Sequence, residues 1–160
     1  MKEIPLTRGK VALVDDEDYV DVSRFKWYAH TNYRVFYAIR NITIAGKRKA
    51  VKLHRYIMRA PDGVEVDHLN GDGLDCQRAN MRLCSRSENQ QNTPAYRGNG
   101  SGFKGVERFD GGEKWRARIR VDGKQRHLGL FNSKEDAART YDVAARLYFG
   151  EHARLNFPEA

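Results

Sequence analysis

The sequence predicts an α+β protein with a β-rich N-terminal region over residues 1–92 and, over residues 103–160, a three-stranded antiparallel sheet packed on one helix. Three observations predict this class. Residues 4–58 contain short β-branched or aromatic runs separated by turn-forming residues. Residues 93–102 contain Pro, Ser, Asn and three Gly, which is the composition of a linker. Residues 114–121 alternate between basic and apolar side chains, and a helical pattern follows from residue 133.

In the N-terminal region, four short runs of β-branched and aromatic residues predict strands. The runs are Val11–Val14, Tyr19–Val22, Arg34–Ile39 and Lys49–Leu53. The acidic run Asp15–Asp18 and the run Ala45–Lys47 lie between them and are predicted as turns. Four consecutive carboxylates suggest a metal site, but such runs are more often solvated, and we interpret this one as a solvated turn.

A hairpin followed by a helix is predicted over residues 64–92. Its elements are a strand with His68, a long loop, a strand at Met81–Cys84 and a helix that carries Asn89. Ser85 and Glu88 have the spacing of a capping box, so the helix is expected to begin at Ser85. Upstream, residues 54–60 predict a short helix that ends before Pro61.

The alternating run of the C-terminal region has two chemically distinct faces. Period-two geometry places Lys114, Arg116, Arg118 and Arg120 on one face, and Trp115, Ala117, Ile119 and Val121 on the other. Asp122 and Gly123 predict the hairpin turn that follows. A helix is predicted from its N-cap Ser133 to Gly150, with an apolar face that covers the sheet. That face comprises Ala137, Ala138, Tyr141, Ala144, Ala145 and Tyr148.

The charge of the chain favours an anionic partner. The net charge is +8 at pH 7 and the pI is about 9.6. Residues 101–131 alone carry eight basic and four acidic side chains. No apolar run is long enough for a transmembrane helix, and residues 1–5 lack the apolar core of a signal peptide. Cys76 and Cys84 are too few for a disulfide framework or a four-thiolate zinc site, so reduced thiols and a cytoplasmic location are expected.

The basic face of the C-terminal sheet is interpreted as a DNA interface rather than a solvated surface. Most of its cations are arginines, which bind phosphate and guanine edges bidentately, and a sheet face can enter the major groove. Residues on the preceding and following strands are expected to join this face. The predicted DNA-binding residues are Lys104, Arg108, Arg116, Arg118, Arg120, Gln125 and His127.

Five motifs carry a family resemblance across residues 103–158. They are Phe103–Val106, Lys114–Arg120, His127–Phe131, Glu135–Ala145 and Leu155–Pro158. Together they resemble the AP2/ERF DNA-binding domain, which implies that the sheet lies in the major groove. Two residues depart from the plant pattern: Glu107 stands where Arg is usual, and His127 where Trp is frequent. The base sequence read by the plant proteins is therefore not carried over.

The N-terminal region contains a constellation suited to phosphodiester hydrolysis. Asp67 and His68 are adjacent, Asn80 lies twelve residues after His68, and Asn89 nine residues further on. This spacing supplies a general-base candidate beside a carboxylate, together with two oxygen-bearing amide side chains. Cleavage with one divalent cation requires a group that deprotonates water and hard oxygen ligands for the metal.

With Leu53–Arg55, Pro61 and Ala79–Leu83, this constellation resembles the His-Asn-Asn type of HNH endonuclease found in phage and intron-encoded homing enzymes. The resemblance covers residues 50–92 and implies a ββα-metal nuclease unit. It further implies that His68 is the general base and that Asp67 and Asn89 bind one Mg²⁺ or Mn²⁺. Asn80 completes the catalytic set by bracing the loop that orients His68.

Four other residues of this region have open or structural interpretations. Arg55, Arg78 and Arg82 are interpreted equally well as phosphate-neutralising groups or as surface cations, and His54 is expected to be structural. The favoured function is a metal-dependent homing-type DNA endonuclease that acts on double-stranded DNA as a monomer in a bacterial or phage-infected cell. The alternative is a noncatalytic, sequence-specific transcription regulator with a vestigial nuclease motif. An RNA-binding basic protein explains the charge but not the His-Asn-Asn spacing.

Overall fold

The computed structural model describes residues 1–32, 35–96 and 98–158, which form two compact units, Met1–Asn89 and Gln90–Ala160. The division precedes the predicted linker at 93–102, of which Arg97 lies outside the described residues. Ser101, near the end of that segment, is buried, and its hydroxyl donates to the carbonyl of Val106 at 2.8 Å. The end of the predicted linker is therefore folded into the second unit.

The first unit is built from short strands and helices. In chain order these are β1 (Lys2–Pro5), β2 (Val11–Val14), α1 (Asp16–Val22), β3 (Tyr28–Asn32), β4 (Val35–Ile44), β5 (Lys47–Lys52), α2 (Leu53–Ile57), β6 (Glu65–His68), β7 (Met81–Cys84) and α3 (Arg86–Gln91), whose last residues lie beyond the unit boundary. The strands pair antiparallel as β1-β2, β3-β4-β5 and β6-β7. The core joins residues from all three sheets and from the helices, including Ile4, Val14, Val22, Trp27, Ala38, Leu53, Val66 and Met81.

The predicted strand Tyr19–Val22 and the predicted turn Asp15–Asp18 are both wrong, because these residues form α1 with Asp15 as its N-cap. Carboxylates are stabilised at a helix N-terminus by the unpaired N–H groups and the helix dipole. Tyr19 and Val22 lie three residues apart and contact the core, whereas Val20 is exposed. Burial of one helix face thus outweighs the β propensity of the run.

The other N-terminal elements match their predictions with shifted ends. β4 continues to Ile44, beyond the predicted end at Ile39, and the predicted first residue, Arg34, lies outside the described residues. Ala45 and Gly46 form the predicted turn and both have positive φ, 48° and 76°. Leu53 begins α2 instead of ending β5, and it is fully buried.

The second unit contains β8 (Val106–Arg108), β9 (Trp115–Val121), β10 (Lys124–Phe131) and α4 (Lys134–Phe149). The antiparallel sheet has the order β10-β9-β8, and α4 packs on it. Alanines line the contact, so helix and sheet approach closely. Gly105 is required by this packing, because its φ is +75° and a Cβ there would lie 2.0 Å from the Tyr141 ring.

Helix α4 begins as predicted, since the Asp136 N–H donates to Ser133 Oγ at 3.2 Å. Tyr148 was expected on the buried face but is 41% exposed, with the Arg126 guanidinium 5.1 Å from its ring centroid. Asp142 was not predicted to be buried. Its carboxylate accepts from the backbone N–H groups of Asn156 and Phe157, both at 2.8 Å, and so anchors the C-terminal segment.

The α+β class is confirmed, because the described residues combine helices with several small antiparallel sheets. None of the helices in the described ranges is both long and apolar enough to cross a membrane.

Candidate active site and nucleic-acid interface

The β6–β7 hairpin positions the adjacent pair Asp67 and His68. Both side chains are buried, with 5% and 6% of their surface exposed. Asp67 lies opposite Arg82 in the hairpin register, and His68, the last residue of β6, lies opposite Met81. The predicted base and the predicted carboxylate ligand are therefore consecutive residues at the end of β6, and both are shielded from bulk water.

The imidazole of His68 packs against aromatic rings from earlier in the chain. The His54 ring lies edge-on to it with centroids 4.9 Å apart, and the Tyr37 ring centroid lies at 6.1 Å. Burial lowers the pKa of His68 below its ordinary value, and the charge of Asp67 acts in the opposite direction. His68 is consequently a neutral imidazole at neutral pH, the form that accepts a proton.

His54 is held more deeply in the neutral form. Burial, followed by the neighbouring His68 and the positive charge of Lys52, lowers the pKa of His54 to about 3. Among the described residues, no hydrogen-bond partner is found for its Nδ1. Its packing against the rings of Tyr37 and His68 suits the structural role expected from the sequence.

The buried His54 predicts that the protein loses stability in mild acid. The unfolded chain protonates His54 as pH falls below about 6.5, whereas the folded form does not until about pH 3. The free energy of unfolding in urea should therefore fall between pH 7 and pH 5, with His54 contributing on the order of 1–2 kcal/mol. A His54→Gln variant should lose that part of the pH dependence, whereas His30→Gln, at an exposed histidine of the same unit, should keep it. Equal pH dependence in wild type and His54→Gln would contradict this assignment.

Asn80 braces the loop that follows His68. Its Oδ1 accepts from the Asn70 N–H at 3.1 Å, and its Nδ2 donates to Asn70 Oδ1 at 3.1 Å and to the Asp75 carbonyl at 2.9 Å. The backbone adds a bond from the Leu69 N–H to the Asn80 carbonyl at 2.9 Å. These bonds close the loop over residues 69–80 and are the ones that a bracing role requires.

Oxygen-bearing side chains gather on one face of β6. The Asn89 amide donates to the Glu65 carboxylate, and Glu65 shares a strand face with Asp67 because they are two residues apart. The capping box that starts α3 sets this position: the Ser85 N–H donates to Glu88 Oε2 at 2.7 Å, and the Glu88 N–H to Ser85 Oγ at 3.2 Å. Carboxylate and amide oxygens are hard ligands, so this donor set fits Mg²⁺ or Mn²⁺ and not a thiolate-preferring metal.

Arg55, Arg78 and Arg82 all make contacts within the first unit. Arg55 donates to the carbonyls of the loop after α2, including Pro61 at 2.8 Å. Arg82 donates to Asp67 Oδ2 through Nε at 3.0 Å and Nη2 at 2.7 Å, which fixes that carboxylate. The guanidinium groups of Arg55 and Arg82 are therefore hydrogen-bonded within the protein and are not simple surface cations.

Arg78 explains the acidic run near the N-terminus. Its guanidinium pairs with Asp18 at 2.7 Å and Glu17 at 3.4 Å, and its N–H donates to Asp15 Oδ2 at 2.8 Å. The fourth carboxylate, Asp16, accepts from the N-terminal ammonium of Met1 at 3.0 Å, so the interpretation of this run as merely solvated is wrong for all four. The other three hold the segment that leads into Asn80.

Three residues near the site were missed in the sequence. Glu65 had a signal, because it lies two positions before Asp67 on a predicted strand. Lys52 also had a sequence signal, because it is the cation directly before Leu53. It is exposed, and its charge lowers the pKa values of His54 and His68. Tyr37, whose ring lies 5.2 Å from Lys52 Nζ, had none, since only the sheet brings β4 to the hairpin.

In the second unit, the pairing of β9 with β8 and β10 places the basic residues of β9 on one face of the sheet, beside residues of both neighbouring strands. Arg116 lies opposite Glu107 and Leu130, Arg118 opposite His127, and Arg120 opposite Gln125. The other face carries Ala117, Ile119 and Val121, which are buried. The alternation predicted from the sequence is confirmed.

Lys104 and Arg108 do not lie on this basic face. Lys104 precedes β8, and its amine donates to the Gln91 carbonyl; burial lowers its pKa to about 8. Arg108 lies opposite Trp115 on the apolar face, with its guanidinium 4.5 Å from the indole centroid. The prediction that Lys104 and Arg108 join the basic face is therefore wrong. β8 begins two residues after Lys104, and the pairing of β8 with β9 puts Glu107 on the basic face.

Comparison with known proteins adds three findings. Residues 52–91 match the family described as HNH endonuclease. The chain is 28% identical over 156 residues to an uncharacterized HNH endonuclease of Acanthamoeba polyphaga mimivirus, covering 93% of this chain and 76% of that protein. It is 31% identical over 112 residues to protein 3.8 of Escherichia phage T7, covering 67% of this chain and 92% of that protein.

Shorter matches link part of the chain to plant proteins. Ethylene-responsive transcription factor 3 of Nicotiana tabacum is 46% identical over 68 residues, covering 38% of this chain and 30% of that protein.

Proposed function

Because this chain belongs to the HNH endonuclease family and is a DNA nuclease, we propose that it hydrolyses DNA phosphodiester bonds at His68 with one divalent metal ion, as a homing-type enzyme. The observation that carries the proposal is the buried, neutral His68 imidazole next to Asp67, on a hairpin whose following helix brings Asn89 to the same strand.

His68 accepts the proton from the attacking water. The pKa of His68, lowered by burial, keeps the imidazole in the basic form, and the His54 and Tyr37 rings pack against it. Asn80 contributes by positioning: its hydrogen bonds hold the loop that leaves His68.

Asp67 and Asn89 would hold the metal, with Glu65 beside them. When bound, such an ion neutralises charge on the scissile phosphate and stabilises the leaving oxygen. Arg82 orients Asp67 through two hydrogen bonds, and Glu65 orients the Asn89 amide by accepting from its nitrogen, which directs the amide oxygen away from Glu65. Lys52 is exposed, with its Nζ 5.2 Å from the Tyr37 ring centroid, and would attract the DNA backbone to the site.

The second unit would select the DNA site as an AP2/ERF-like module, with Arg116, Arg118, Arg120, Gln125 and His127 toward the major groove. The basic face and the partial similarity to plant transcription factors support this role. A tethered binding module raises the local concentration of DNA at a small nuclease unit that binds weakly alone. We place the enzyme in the cytoplasm as a monomer, which favours nicking of one strand.

The test is cleavage of supercoiled plasmid. Addition of Mg²⁺ or Mn²⁺ to metal-free protein should convert supercoiled plasmid to relaxed circles before linear DNA forms, and excess EDTA should stop the reaction. Gel analysis over time checks both expectations. Nicking that proceeds equally in EDTA would refute metal dependence, and linear DNA as the first product would refute the nicking monomer.

A further inference from the structure

One carboxylate interrupts the basic face of the second unit. Glu107 on β8 pairs through Oε1 with Arg116 and through Oε2 with Arg118, the latter at 2.6 Å. These three side chains are between 29% and 40% exposed, so the cluster lies at the surface of the face. Gln125 completes it: with its amide oxygen turned toward Arg118, it accepts from Nε at 2.7 Å and Nη1 at 2.8 Å.

The cluster restrains both arginines on the sheet face. Arg118 is held between Glu107 and Gln125, and Arg116 donates two hydrogen bonds to Glu107. Two hydrogen bonds from one guanidinium to a single charged or amide oxygen restrict its position and orientation. Both arginines are therefore held in place by their neighbours instead of sampling solvent freely.

Glu107 also opposes general binding to DNA. A carboxylate brought toward phosphates is repelled, and it occupies arginine donors that would otherwise neutralise phosphates. A carboxylate only accepts hydrogen bonds, so DNA can compensate it only with a donor. In the major groove, the donor that Glu typically reads is the N4 amino group of cytosine, while Arg reads guanine O6 and N7.

We infer that Glu107 is a specificity-determining residue, which accepts from the N4 amino group of a cytosine while Arg116 and Arg118 contact neighbouring guanine edges or phosphates. This inference rests on the proposed DNA-binding role of the face. It accounts for an acidic residue on the edge strand of a sheet face whose other polar side chains are basic or neutral. Glu107 thereby weakens binding to sites that lack the cytosine and permits binding to those that have it.

The test selects DNA sites with full-length protein in EDTA, so that binding is measured without cleavage. Wild type, Glu107→Gln and Glu107→Arg each select from a library of random-sequence duplexes. Glu151→Gln, at an 82% exposed acid after α4, is the control with the same change in charge. Affinities are then measured for the selected duplex, for a duplex with the cytosine replaced by thymine, and for a mixed-sequence duplex.

Wild type should select a cytosine at one position and discriminate against thymine there by about tenfold. In Glu107→Gln that discrimination should fall below about threefold, and binding to the mixed-sequence duplex should tighten about threefold or more, with a further gain in Glu107→Arg. Glu151→Gln should keep the cytosine preference.

Three results would overturn the inference. Unchanged cytosine selection by both Glu107 variants, in a protein that still binds and nicks DNA, would refute it and leave the proposed function standing. If the Glu107 variants bind every duplex more weakly by the same factor, Glu107 only positions the arginines and does not determine specificity. A wild-type protein that binds no duplex would refute the DNA interface itself. Thermal melting of each variant confirms that a folded protein is being compared.

Discussion

Replacement of His68 by Ala should lower the rate of plasmid nicking by about 10²–10⁴-fold, with DNA affinity changed by less than about threefold. The variant loses the group that we propose takes the proton from water, while the proposed oxygen ligands on β6 and α3 remain. Single-turnover cleavage at saturating enzyme isolates this chemical step, and binding of the same DNA in EDTA measures affinity separately.

His30→Ala is the matched control, because it removes an exposed histidine of the same unit and should cleave at the wild-type rate. His68 is buried, so His68→Asn and thermal melting of both variants separate loss of chemistry from loss of the fold. Added imidazole should partly restore nicking by His68→Ala, a rescue that a merely structural residue would not show. Wild-type nicking by a folded His68→Ala protein would exclude His68 as the base.

The double variant Arg118→Ala/Arg120→Ala should bind duplex DNA roughly 10–100-fold more weakly at 0.15 M salt. Both side chains lie on the basic face of β9, and each one that contacts phosphate releases counterions on binding. The slope of log affinity against log salt concentration should accordingly flatten by ~1–2. Titration of a labelled duplex in EDTA over a range of salt concentrations measures both quantities.

The matched control takes two arginines from the opposite face of the same sheet. Arg108 lies opposite Trp115 and Arg126 opposite Ile119, so Arg108→Ala/Arg126→Ala makes the same change in net charge away from the basic face. It should retain most of the affinity and most of the salt dependence. Equal losses in the two double variants would mean that net charge, and not this face, governs DNA binding.

Several elements could be predicted from local sequence patterns, because the interactions that form them involve residues close in the chain. The alternation of residues 114–121 predicted the two faces of β9, and the Ser85–Glu88 spacing predicted the cap of α3. Side-chain direction along a strand and hydrogen bonding at a helix start depend on a few adjacent residues. The Asp67-His68 pair was likewise visible, because it is continuous in the chain.

Elements were mispredicted where long-range packing outweighs local preference. The run Tyr19–Val22 has strand-forming residues, yet one helix face packs into the core of the first unit. Arg108 was assigned to the wrong face because the pairing of β8 with β9 cannot be read from β8 alone. Lys104 was assigned to a strand that begins only at Val106.

Spacing and composition within short stretches indicated the candidate base and metal ligands, the basic strand and the two-part organisation that we propose. The surroundings of these residues depend on the folded structure. Tyr37 and His54 reach His68 through sheet and helix packing, and Glu65 meets Asn89 across the start of α3. Glu107 meets Arg116 and Arg118 through strand pairing. These contacts join residues distant in the chain, and burial and register, which set them, are properties of the folded protein.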